Sequence, residues 1–291
     1  MRTSATAAAA AVLVVGADAS IWEPNHPKLV ELSIPLQQLP EAWDGFRIVQ
    51  LSDIHYDDHF SVIPLRRAVD IVNNLKPDLL VLTGDFVTAP PYALRNRQRK
   101  NKAAAAIEPC TNLLRQVRAR FGALAVLGNH DALDYSERIV GTLQSAGIQV
   151  LNNRALPLDR EGKRLWFAGV EDVLEGSPDL DTALLPIPAN EPVVLLAHEP
   201  DFADQAARYP VDLQLSGHSH GGQVRIPLVG APWLPRLGRK YPMGLHRIGK
   251  MTLYTNVGLG TIRIPVRWNC PPEITSITLR TVAVGRANTM V

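Results

Sequence analysis

The sequence predicts an α/β fold, a two-sheet β-sandwich core flanked by helices. Three observations lead there. Short apolar runs alternate with stretches of helical spacing, the pattern of β-α-β units. In the second half the helices shorten and the strands crowd together, which favours two packed sheets over one open parallel sheet. Finally, polar residues able to bind metals recur where apolar runs stop, from Asp53 to His220, so one core must gather them.

Composition sets the bounds. The chain has 291 residues, 46% hydrophobic and 20% charged, an ordinary globular balance. We read residues 28–282 as a single domain, with a signal-like or membrane-tethering segment at 1–20 and a tail at 283–291. The net charge of +2 is too small to suggest a nucleic-acid partner. The basic run Arg95–Lys102 is a local exception, either a solvated loop or a surface that attracts anionic lipid or phosphate. Cys110 and Cys270 are the only cysteines and form no Cys-x-x-Cys, so thiolate ligation is not indicated. At the N-terminus, Arg2 precedes the apolar stretch Ala5–Val15, and Ala17-Asp18-Ala19 resembles a cleavage site. That stretch falls short of the roughly 20 apolar residues that cross a bilayer. Export or membrane association is the expectation, with a cytoplasmic, peripheral location as the alternative.

In chain order, Val30–Ile34 reads as an edge strand and Phe46–Leu51 as a buried one ending at Ser52-Asp53-Ile54-His55. Leu65, Val69, Val72 and Leu75 recur at helical spacing before Pro77. Asp78–Thr83 is a strand ending at Gly84-Asp85. A helix is expected over Ala103–Arg120, then a strand over Ala123–Leu127 ending at Gly128-Asn129-His130-Asp131. Tyr135–Ala146 reads as a helix and Gln149–Leu151 as a short strand. Further strands are Leu165–Val170, Val193–Ala197, Val211–Leu215, Met251–Asn256 and Ile274–Leu279, with short helices at Leu180–Leu185 and Phe202–Ala207. Residues 224–247 lack periodicity.

Five strand ends thus carry ligand-type side chains: Asp53 and His55, Asp85, Asn129 to Asp131, His198, and His218 with His220. Five of the eight histidines fall in these segments. In α/β sheets ligands bind at the carboxyl ends of strands. Imidazole, carboxylate and amide oxygen together suit Mn, Fe, Zn or Ni better than Ca or Mg. Seven candidates (Asp53, His55, Asp85, Asn129, His198, His218 and His220) exceed one tetrahedral ion and would serve two if a carboxylate bridges them. Two ions about 3.5–4 Å apart suit in-line displacement at phosphorus. Taken singly, Asp53 or Asp85 could cap a helix and His198 could be a buried structural histidine.

The series Asp-x-His, Gly-Asp, Gly-Asn-His-Asp, His, Gly-His-x-His resembles the calcineurin-like metallophosphoesterase family across residues 47–222. The opening Leu51–His55, the turn Gly217–Gln223 and the tail from Asn256 to Glu273 resemble its bacterial branch of membrane-associated phosphodiesterases and UDP-2,3-diacylglucosamine hydrolases. Ser219 departs from the threonine common at that position. The resemblance implies a four-layer α/β/β/α fold. It implies that Asp53, His55, Asp85 and His220 hold one ion while Asp85, Asn129, His198 and His218 hold the other. A hydroxide between the ions would attack phosphorus. His130 would act as general acid, with Asp131 orienting it.

The expected activity is metal-dependent hydrolysis of a phosphodiester or pyrophosphate. A phosphomonoesterase, or a metal-binding protein without turnover, is the alternative. Apolar residues such as Leu228 and Trp233 mix with Arg225, Arg236, Arg239 and Lys240 beside the last histidine pair. This loop could receive a lipid-linked phosphoester and a membrane surface, or it could simply be a packed loop with solvated cations.

Overall fold

A computed structural model describes residues 13–88, 105–133 and 135–282. The expectations for residues 1–12, for the basic run at 95–102 and for the tail at 283–291 lie outside the described residues.

Two mixed six-stranded sheets form the core. The first contains β1 (Lys28–Leu36), β2 (Arg47–Leu51), β3 (Leu79–Leu82), β4 (Ala123–Ala125), β5 (Ile148–Val150) and β12 (Glu273–Thr281), in the order β1-β12-β2-β3-β4-β5. The second contains β6 (Arg154–Arg160), β7 (Lys163–Gly169), β8 (Val193–Leu196), β9 (Leu213–Ser216), β10 (Gly244–Ile248) and β11 (Met251–Thr255), in the order β10-β11-β9-β8-β7-β6. Strands β2 to β5 run parallel, as do β7, β8, β9 and β11. Their carboxyl ends therefore emerge along one edge of each sheet.

Side chains alternate between two buried faces, which is why these strands read as continuous apolar runs. Ile48, Val81, Leu124 and Val126 point between the sheets, where they meet Phe167, Leu196, Leu213 and Leu215. Val49, Leu51, Leu80 and Leu82 point outward beneath helices α1 (Val62–Leu75), α2 (Ile107–Leu114) and α3 (Ser136–Ser145). On the far side, Trp166, Leu195 and Leu253 are covered by α4 (Leu180–Leu184) and α5 (Ala203–Ala206). The order is helices, sheet, sheet, helices, as expected.

Four details differ from the sequence reading. The helix expected over Ala103–Arg120 is the shorter α2. Strand β6 was not foreseen, because Pro157 and a mixed burial pattern hide its period. Strand β10 was not foreseen either; it is an edge strand with alternating partial exposure, reached through residues that lack periodicity. Finally, Ala19 lies within the segment set apart from the fold, yet it is buried and its carbonyl accepts the Arg267 N–H at 2.9 Å.

Candidate metal centre

Each sheet contributes part of one site. Asp53 and His55 follow β2, Asp85 follows β3, and Asn129, His130 and Asp131 follow β4. From the second sheet, His198 follows β8, and His218 and His220 follow β9. Backbone bonds lock the loops together: Asp53 N–H donates to the Gly84 carbonyl and His55 N–H to the Asp85 carbonyl, both at 2.9 Å.

Five of these residues hold left-handed backbone: Asp53 (φ 48°), His55 (45°), Asp85 (55°), His218 (66°) and His220 (52°). Outside glycine that conformation is uncommon, and its clustering marks functional sites where the surroundings enforce it. It turns consecutive side chains off the strand axis towards the seam between the sheets.

The polar atoms gather in two clusters. Asp53, His55 and His220 present atoms within 4.8 Å of one another, and so do Asp85, His198 and His218. Asp85 links them: its Oδ2 lies 3.4 Å from His55 Nε2 and 3.3 Å from His198 Nε2. Its Oδ1 accepts the His130 N–H at 2.9 Å. His220 Nε2 lies 3.3 Å from Asp53 Oδ1 and 3.1 Å from His55 Nε2. Asp53 is set by the hydroxyl of Ser52 at 2.6 Å and by the His218 N–H, which reaches both of its oxygens.

The outer ring nitrogens fix the inner ones. His198 Nδ1 meets the Thr83 carbonyl at 2.6 Å and His218 Nε2 meets the Arg236 carbonyl at 2.8 Å. A carbonyl only accepts, so each of those nitrogens carries a proton, and the opposite nitrogen is the one turned to the cluster and left to take an ion. His55 Nδ1 meets the hydroxyl of Thr88 at 3.1 Å. Thr83 and Thr88 were missed by the sequence reading, and Arg236 was named there for its charge and not for its carbonyl. Two of the three act through backbone carbonyls, which leave no mark in side-chain type.

Electrostatics follow the same division. Burial pushes the His55 and His218 pKa values down to about 3, so both are neutral at ordinary pH. Burial, the adjoining His55 and the Arg267 charge hold His220 well below its usual value too. Burial opposes charge on His198, but the carboxylates of Asp85, Asp53 and Glu199 prevail and push its pKa well above 6.5. Burial likewise opposes charge on Asp85, but His198, His130 and His55 hold it well below 3.8.

The donor set fits divalent transition metals. The neutral His55 and His220 rings face each other across 3.1 Å beside the shared carboxylate, and the buried Asn129 Oδ1 has no hydrogen-bond partner. Glycine gives the close approach its room. A Cβ on Gly128 would lie 2.3 Å from Asp85 Oδ1 and 2.7 Å from His198 Cε1.

His130 and Asp131 lie apart from this pattern. His130 is half-buried, its ring edge-on to His55 at 5.0 Å between centroids, and it comes within the same 4.8 Å reach of His55 and Asp85. Asp131 is fully buried and accepts N–H groups from Phe86, Val87 and Gly128. Those bonds tie the Asp85 loop to the Asn129 loop.

Comparison with known proteins agrees with the geometry. The chain is 36% identical to an uncharacterized metallophosphoesterase, YkuE, of Bacillus subtilis (strain 168), over 89% of this chain and 87% of that one. It is 33% identical to the phosphodiesterase YaeI of Escherichia coli (strain K12), over 80% and 82%. It is 26% identical to the UDP-2,3-diacylglucosamine pyrophosphatase LpxG of Chlamydia muridarum (strain MoPn / Nigg), over 93% and 94%. The family model for calcineurin-like phosphoesterases matches residues 46–222, the stretch that begins just before β2 and ends on the glycines after His220. The chain belongs to the calcineurin-like phosphoesterase family and is a metal-dependent phosphoester hydrolase.

Proposed function

We propose that this protein hydrolyses a phosphodiester or pyrophosphate bond at a dinuclear centre. Asp53, His55, Asp85 and His220 would hold one ion, and Asp85, Asn129, His198 and His218 the other. The observation that carries this reading is the position of Asp85 Oδ2, at 3.4 Å and 3.3 Å from histidines of the two clusters. Two ions of the Mn, Fe or Zn type supply charge for the phosphoryl oxygens and activate the attacking water.

The chain's own residues do the rest. Asp85 sets the spacing of the two clusters. His130, half-buried beside them, would give a proton to the leaving oxygen. We infer that Asp131 also ties the Asp85 loop to the His130 loop through the amides of Phe86, Val87 and Gly128, beside the ring-orienting role that the resemblance implies.

The substrate we favour carries a lipid. LpxG, a relative over nearly the full length, is named for a diacylated sugar nucleotide. The loop that anchors His218 through the Arg236 carbonyl also exposes Leu228, Val229 and Trp233, and the Arg263 guanidinium lies over the Trp233 ring at 4.4 Å. Apolar side chains beside cations suit an anionic lipid surface. Among the described residues no helix is long and apolar enough to cross a membrane, so contact would come through this surface or through the N-terminal segment.

The test is a metal-supplemented screen of phosphodiesters, pyrophosphates and phosphomonoesters with wild type and His130→Ala. The variant should bind metal as wild type does and lose about 10²- to 10⁴-fold in hydrolysis. Undiminished hydrolysis would remove His130 from the reaction. For the lipid, equal sedimentation of wild type and a Leu228/Trp233 double alanine variant with anionic vesicles would end that part of the reading.

A further inference from the structure

Arg267 is a fully buried cation. Its guanidinium donates to four carbonyls: Gly260 (2.7 Å from Nη2 and 3.1 Å from Nε), Val257 (2.9 Å), Gly258 (3.1 Å) and Cys270 (3.0 Å). No carboxylate forms an ion pair with it among the described residues. Burying a guanidinium costs its hydration, and the main-chain oxygens that replace that hydration are themselves held in place.

That chain lies against one metal cluster. The Leu259 N–H donates to the Ser52 carbonyl at 2.9 Å and the Gly260 N–H to the Asp53 carbonyl at 2.7 Å. Gly258 is so near that a Cβ there would lie 2.6 Å from Asp53 Cβ. On the other side, Cys270 Sγ meets the His220 carbonyl at 3.4 Å. Both Asp53 and His220 belong to the first cluster. Thr83 and Arg236, which set His198 and His218, receive nothing from Arg267.

The N-terminal turn clamps the same segment from outside. Glu23 accepts the Asn269 N–H at 2.9 Å and the Cys270 N–H at 2.6 Å, and the Ala19 carbonyl accepts the Arg267 N–H. We propose that Arg267, braced by Glu23, is a positioning residue chiefly for the Asp53–His55–His220 subsite, and that it reaches the Asp85–His198–His218 subsite only through the bond from the His218 N–H to Asp53. The fork matters more than the charge. Lysine offers a point charge with three mobile donors and cannot hold four carbonyls in a plane.

This inference rests on the two-ion reading, and the experiment separates the two. Full-length protein is stripped of metal and titrated with Mn(II), bound ion being counted by electron paramagnetic resonance. His218→Ala and His55→Ala each remove a ligand from one subsite and keep the Asp53 carboxylate that holds the His218 N–H. Arg267→Lys in the His218→Ala background should weaken Mn(II) binding about 10- to 100-fold, the usual cost of losing a partner that orients a ligand. In the His55→Ala background it should weaken binding far less. Equal weakening in both backgrounds, as a general structural role would give, overturns the proposal, and so does no weakening in either. If Arg267→Lys fails to fold, as judged by circular dichroism, Glu23→Gln replaces it with the same two expectations. Wild type that binds a single Mn(II) overturns the two-ion reading itself, and the subsite assignment with it.

Discussion

The Nε2 atoms of His55 and His220 face each other across 3.1 Å. Both rings are pushed towards the neutral form, chiefly by burial. One proton between them makes one weak bond, whereas a cation would engage both lone pairs at once. Removing metal should therefore destabilise the protein. At a hundredfold excess over the dissociation constant a bound ion adds about 3 kcal/mol. For a chain of this size that is about 5–10 °C in melting temperature. Calorimetry before and after chelation, with Mn(II) or Zn(II) restored, measures it, and an unchanged melting temperature would contradict the metal reading.

Metal uptake should release a proton from His198. Its pKa is raised above 6.5 in the metal-free fold, and an ion must displace that proton. Affinity should rise with pH until His198 is deprotonated. The metal-free protein shows the opposite trend at this residue. A raised histidine pKa gives stability that is complete below the unfolded value of 6.5 and lost as pH rises through the folded value. Asp85, held low, gives stability that is complete above 3.8 and lost as pH falls through its folded value. The pH of greatest stability should thus move upward on metal loading. Titration calorimetry in two buffers of different ionisation heat counts the proton.

Gly128→Ala should impair the centre without removing any ligand. The new methyl would meet Asp85 Oδ1 at 2.3 Å and the His198 ring at 2.7 Å, so the shared carboxylate must shift. Misplacement of about 1 Å at a reacting centre costs on the order of 10²-fold in rate. Steady-state kinetics with a bis-aryl phosphodiester should show that loss in kcat/KM.

Asp131→Ala should act first on stability. It leaves the buried amides of Phe86, Val87 and Gly128 without their acceptor, at a cost of about 3 kcal/mol. Asp131→Asn keeps one acceptor oxygen and should lie between alanine and wild type. Denaturant unfolding of the three proteins gives the order.

Much of the fold was legible because buried strands carry apolar residues on both faces. Ile48 and Val49, or Val81 and Leu82, face opposite layers and so appear as unbroken runs. The candidate site was legible because polar residues at strand ends leave their side-chain type in the sequence. What escaped is what lacks such a trace. β12 enters between β1 and β2, a pairing that joins distant parts of the chain. β6 and β10 sit on the edges of their sheet, where one flank needs no burial. Arg267 and Glu23 act on backbone atoms, and nothing in the local sequence says which carbonyls or amides they will meet.

The candidate ligands divide between the sheets: Asp53, His55, Asp85 and Asn129 follow strands of the first, His198, His218 and His220 strands of the second. Under the proposed assignment, bound ions would rivet two β-sheets across their seam. Neither half of the chain would then contain a complete coordination sphere, and full occupancy would require both sheets to be docked.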